Sequence, residues 1–94
     1  KVSAQQAFEI GMIYKFYPVA LFEDEVAKLA STLANMPTKA LGLTKRLLNE
    51  SMTNNLDQQL ALESKLQIES AESYDYNEGV AAFIQKRQPE FKGK

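Results

Sequence analysis

The run Asp75–Lys94, DYNEGVAAFIQKRQPEFKGK, states where a helix starts, which face it buries and where it stops. Asp75 followed by Glu78 reads as a capping box, with a carboxylate set against the positive end of the helix dipole. Tyr76, Val80, Phe83, Ile84 and Arg87 recur at steps of three and four, which predicts one apolar face. Lys86 and Arg87 close the last turn, Pro89 cannot continue it, and Gly93 loosens the tail. Working outward from this element, the rest of the chain reads as further short helices.

Ser3 with Gln6 predicts a capped helix over about residues 4 to 10, closed by Gly11 where a positive φ is needed. The apolar and aromatic run from Met12 to Tyr17, broken by Lys15 and ended by Pro18, reads as a short β-strand or an extended connector. Leu21 to Asn35 carries Phe22, Val26, Leu29, Ala30 and Leu33 at helical spacing, with Glu23, Asp24 and Glu25 in its first turn. Pro37 opens the next helix, whose expected buried face is Ala40, Leu41, Thr44, Leu47, Leu48 and Met52. Asn55 with Gln58 then caps a longer helix that bears two apolar stripes. One runs through Leu60, Ala61, Ser64, Ile68 and Ala71, the other through Leu62 and Leu66. A helix apolar on two sides is contacted from two directions, either by its own neighbours or by another subunit.

The fold class expected is therefore all-α, with about five helices and at most one short strand near 12–17. Residues 1–20 form one portion and 21–94 a helical region.

With 45% hydrophobic and 24% charged residues, the 94-residue chain has the balance of a globular domain, and its net charge of -1 offers no general field for nucleic acid or an acidic membrane. It has neither His nor Cys, which excludes serine or cysteine triads and His/Cys zinc sites; no metal site is expected. The lack of cysteine fits a reducing compartment, and the cytoplasm is the expected location. No apolar run reaches the roughly 18 residues of a membrane span. Glu63, Glu69, Glu72, Asp75 and Glu78 are the carboxylates that could form an acid and base pair. They cluster among polar residues with nothing to raise a pKa, so a solvated face and an N-cap explain them better.

The order Asp75, Glu78-Gly79, Ala82-Phe83, Lys86-Arg87, Pro89, Phe91 and Gly93 resembles the closing segment of the enoyl-CoA hydratase/isomerase (crotonase) family. Ala7, Gly11, Met12 and Ile13 extend the likeness, as do Pro37, Ala40, Thr44 and Lys45; Met36 departs from it, since the family more often has Gly there. The segments Gly42–Asn49 and Leu56–Glu63 look closest to the branch that isomerises ring-epoxide phenylacetyl-CoA. The resemblance implies the C-terminal helical region of a longer chain, with residues 1–20 joining a β/α core.

In that family, acyl-CoA thioesters are the substrates, no separate cofactor is needed, and the subunits assemble as trimers or dimers of trimers. Residues matching Phe83 and Lys86 help to hold the CoA nucleotide, commonly one bound to the adjacent subunit. One helical turn apart, an aromatic face and an ammonium suit an adenine and a phosphate, although Phe83 could equally be core. The family's two oxyanion N–H groups and its catalytic carboxylate belong to the core, so no catalytic residue is expected among these 94. A competing reading makes the chain an autonomous helical module that pairs with a partner helix through Leu56–Ala71.

Overall fold

The computed structural model describes residues 1–94 and is all-helical: α1 Ala4–Glu9, a 3-10 turn Val19–Leu21, α2 Phe22–Ala34, α3 Thr38–Glu50, α4 Leu56–Ala71 and α5 Tyr74–Gln85. The chain divides into two units, residues 1–31 and 32–94.

In the first unit, α1 starts as its sequence predicts. Ser3 Oγ accepts from the Gln6 N–H at 3.2 Å while Gln6 Oε1 accepts from the Ser3 N–H at 3.0 Å. Gly11, at φ 73°, ends it in a Schellman turn: the Gly11 N–H donates to Phe8 O and the Met12 N–H to Ala7 O. The strand expected near 12–17 does not form. The Met12 and Ile13 amides both turn back onto Ala7 O, and the Phe8 and Phe16 rings meet edge to face at 5.7 Å. A strand needs a ladder partner, and no other segment here is extended beside it. Along α2 the expected face is largely open: Leu29 is half-buried, whereas Phe22 and Val26 are exposed.

In the second unit, α4 packs against both α3 and α5. Its N-terminus is the expected capping box, with Gln58 N–H to Asn55 Oδ1 at 2.9 Å and Asn55 N–H to Gln58 Oε1 at 3.0 Å. Gln59 extends the cap across to α3, donating to Leu47 O at 3.2 Å and accepting from Asn54. Of the two stripes on α4, the one through Leu62 and Leu66 is inside, and Leu66 is 1% exposed. Leu60 and Ile68, on the other stripe, remain open.

The face expected on α3 is also corrected. Leu43 and Leu47 turn inward, while Leu41, Leu48 and Met52 are exposed. The main helix packed on α3 is α4, which leaves part of its apolar arc open. The buried apolar residues of the whole chain are Ala7, Leu66 and Ala82. A fully buried leucine contributes about 1.5–3 kcal/mol, so an interior of this size leaves most of the apolar surface in water.

Candidate functional site

The second unit ends in α5 and the irregular residues 86–94, and these two segments hold each other. Ser73, two residues before the expected cap, is the N-cap: its Oγ accepts from the Tyr76 N–H at 3.1 Å and its carbonyl from Asn77 Nδ2 at 2.9 Å. Asp75 is released from capping and is 2% exposed. Its Oδ1 accepts the Lys92 N–H at 2.6 Å, its Oδ2 accepts the Gly93 N–H at 2.9 Å, and its own N–H donates to Lys94 O at 3.1 Å.

One turn further on, Glu78 takes a bidentate pair from Arg87, Nη1 to Oε1 at 2.6 Å and Nη2 to Oε2 at 2.9 Å. The Glu90 N–H adds a third bond to Oε1 at 2.8 Å. The Arg87 guanidinium, helped by the Glu90 N–H, holds the Glu78 carboxyl down at about 2, and Glu78 in turn raises the Arg87 pKa. A carboxylate so placed stays ionised at neutral pH and cannot serve as a general acid. Asp75 and Glu78 therefore belong to neither a solvated face nor a capping box, while Glu63, Glu69 and Glu72 are exposed.

Helix α5 stops at Gln85 because Lys86 adopts the left-handed conformation, φ 54° and ψ 41°. The Arg87 N–H donates to Ala82 O at 3.0 Å and the Lys86 N–H to Phe83 O at 3.2 Å, the same Schellman turn that glycine makes after α1. The expected helical stripe is thus cut before Lys86. Phe83 remains on the helix and is 85% exposed, so it is not core within this chain. Lys86 is exposed beyond the helix end, where a left-handed residue no longer projects with the helical period.

Phe83 stands at an apolar cleft of about 370 Å³, whose other walls include Pro37, Ala40, Tyr76, Val80 and Phe91, with the Ser70 and Ser73 residues at its polar side. Phe91 lies beside Gly79 at this cleft: a Cβ built on Gly79 would stand 3.6 Å from its ring, an ordinary van der Waals contact. Gly93, at φ 70°, runs so close to Thr38 that a Cβ would meet the hydroxyl at 2.5 Å. Lys92 Nζ lies 4.7 Å from the Tyr74 ring centroid. An exposed aromatic face over an apolar cleft can hold a planar ring. Sequence reasoning singled out Phe83 and Lys86; the structure sets Phe83 at the cleft and Lys86 beyond the helix end, and adds Phe91 and the clasp around it, which the sequence reading did not place there. The one available signal was Pro89, which forces the chain off the helix axis while Glu78 and Arg87 carry opposite charges.

The profile of the enoyl-CoA hydratase/isomerase family matches residues 1–94. A 1,2-epoxyphenylacetyl-CoA isomerase of Escherichia coli K12 is 46% identical over 94 residues, all of this chain and 36% of that protein. A 2,3-dehydroadipyl-CoA hydratase of the same organism is 37% identical over 93 residues, 99% of this chain and 36% of the relative. Among solved structures, an enoyl-CoA hydratase from Polaromonas sp. JS666 superposes with a TM-score of 0.88 at 32% identity, over 97% of this chain and 35% of that one. The enoyl-CoA hydratase of Mycobacterium marinum does so with 0.88 at 30% identity, over 99% and 38%. The chain spans about a third of the length of these relatives.

Proposed function

The chain belongs to the enoyl-CoA hydratase/isomerase family, and on that premise we propose that it is the C-terminal helical region of an acyl-CoA hydratase or isomerase, contributing assembly contacts and part of the CoA site. The observation that carries the second role is Phe83, an aromatic side chain 85% exposed at the mouth of an apolar cleft, with Lys86 just past the helix end. In this reading Phe83 packs against the adenine and Lys86 meets a phosphate as a point charge, while residues 1–20 join the β/α core. The groups that polarise the thioester carbonyl and move protons lie outside these 94 residues.

Assembly is supported by the open stripe Leu60–Ala61–Ser64–Ile68 on α4, by Leu48 and Met52 on α3 and by the uncovered face of α2. Apolar surface on this scale is ordinarily covered, and in a symmetric oligomer a second subunit covers it. No helix is long and apolar enough to cross a membrane. A ring-epoxide acyl-CoA is the favoured substrate class, on the 46% identity to an isomerase of that kind. The autonomous-module reading is not favoured, because the family match runs from the first residue to the last.

The test is Lys86→Ala in the full-length enzyme. A contact equal in ground and transition states raises KM and leaves kcat nearly unchanged. The rise should be roughly five- to tenfold for an exposed charge contact and shrink with added salt. An unchanged KM for the CoA thioester overturns the assignment.

A further inference from the structure

Residues 86–94 contain no helix or strand, yet they return along α5 and are clasped there at two points. The pattern of the clasp is specific. Glu78 accepts the N–H of Glu90 and Asp75 accepts the N–H of Lys92, so the backbone on both sides of one residue, Phe91, is tied to a helix carboxylate. Asp75 also holds Gly93, whose left-handed φ and tight approach to the Thr38 hydroxyl disfavour a side chain. A carboxylate that only completed the helix dipole, or only balanced Arg87, would have no need to take the two amides that flank an aromatic ring.

We propose that Asp75 and Glu78 are positioning residues that set residues 86–94 as a strap, with Phe91 fixed as the wall of the cleft that also holds Phe83, so that the strap shapes the seat of the nucleotide's purine ring. This rests on the reading of Phe83 as part of a CoA site. The strap turns on Lys86: its left-handed backbone reverses the chain at the helix end and brings Phe91 back beside Gly79. The purine is a planar heteroaromatic ring whose faces stack, and the cleft offers it three aromatic side chains, Tyr76, Phe83 and Phe91, together with Pro37 and Val80.

The experiment compares Asp75→Asn, Phe91→Ala and Phe83→Ala in the full-length enzyme, each assayed with an acyl-CoA and with the same acyl group on pantetheine. Amide exchange over residues 86–94 is followed in parallel. Asp75→Asn puts an amide where two N–H groups need acceptors, so exchange at Lys92 and Gly93 should quicken about tenfold or more, hydrogen bonds to a charged group being the stronger kind. KM for the acyl-CoA should rise about five- to tenfold, with kcat and the pantetheine KM unchanged, as expected for a contact made equally in ground and transition states. Phe91→Ala should shift KM in the same way with the exchange pattern kept, and it decides the matter if Asp75→Asn does not fold. Quickened exchange with an unmoved KM, or equal losses on both substrates, overturns the proposal. Phe83→Ala separates the two failures. If it raises KM for the CoA thioester while Phe91→Ala does not, the strap fails and the nucleotide reading stands; if Phe83→Ala moves nothing, both fall.

Discussion

Phe83→Ala separates a ligand-facing aromatic from a core one by two independent magnitudes. With 85% of the residue in solvent, roughly 30 Å² of a side chain that could bury 150–250 Å² is covered, which at ~25 cal/mol per Å² forfeits only about 0.8 kcal/mol. Within this chain, that should lower the melting temperature by no more than about 3–6 °C. A base stacked on an aromatic side chain, by contrast, is worth about 1–3 kcal/mol, so loss of the ring should weaken CoA binding roughly 5- to 150-fold.

The assay pairs thermal unfolding of the 94-residue chain with KM measurements on the full-length enzyme, using a CoA thioester and its pantetheine-truncated counterpart. The CoA thioester should suffer and the truncated one should not. Equal losses on the two substrates would refute the nucleotide contact. A destabilisation of about 3–5 kcal/mol, the cost of truncating a buried phenylalanine, would refute the exposure on which the argument stands.

At Lys86, glycine and alanine should part company. Glycine relieves about 1–2 kcal/mol of left-handed strain and returns about 0.4–1 kcal/mol through the unfolded state, so Lys86→Gly should melt higher than Lys86→Ala even though both lose the ammonium and show the same rise in KM. The Glu78–Arg87 pair predicts an acid sensitivity. The folded-state pKa of Glu78 is depressed from 4.5 to about 2, so its contribution is fully present above its ordinary pKa and is lost as pH falls towards about 2. Melting curves of Glu78→Gln and the parent should differ most near neutral pH and converge at the acid end; a gap that did not close would show that the ion pair is not its source. The isolated chain should bind a hydrophobic dye and self-associate with concentration, as light scattering will read, since so many of its large apolar residues are exposed. It should not turn over enoyl-CoA thioesters above the buffer rate, because the oxyanion donors of the proposed enzyme lie outside it.

Sequence by itself determined whatever rests on contacts within one turn. The capping boxes of Ser3 with Gln6 and Asn55 with Gln58, and the left-handed glycine that closes α1, are arrangements among residues close in sequence. The all-helical class and the family likeness follow from such local signals, repeated along the chain. Tertiary structure alone decided which faces are used. Both stripes of α4 are apolar, and only the packing of α3 and α5 selects the one through Leu62 and Leu66. It also decided the C-terminal site. Asp75 reads locally as a cap, yet Ser73 takes that role and Asp75 binds amides 17 and 18 residues away. Lys86 reads locally as the last turn of a helix, yet the returning strap ends the helix before it, in a conformation a lysine would not choose alone. Bonds across that separation require the chain to be already folded back, a condition that no helical period encodes.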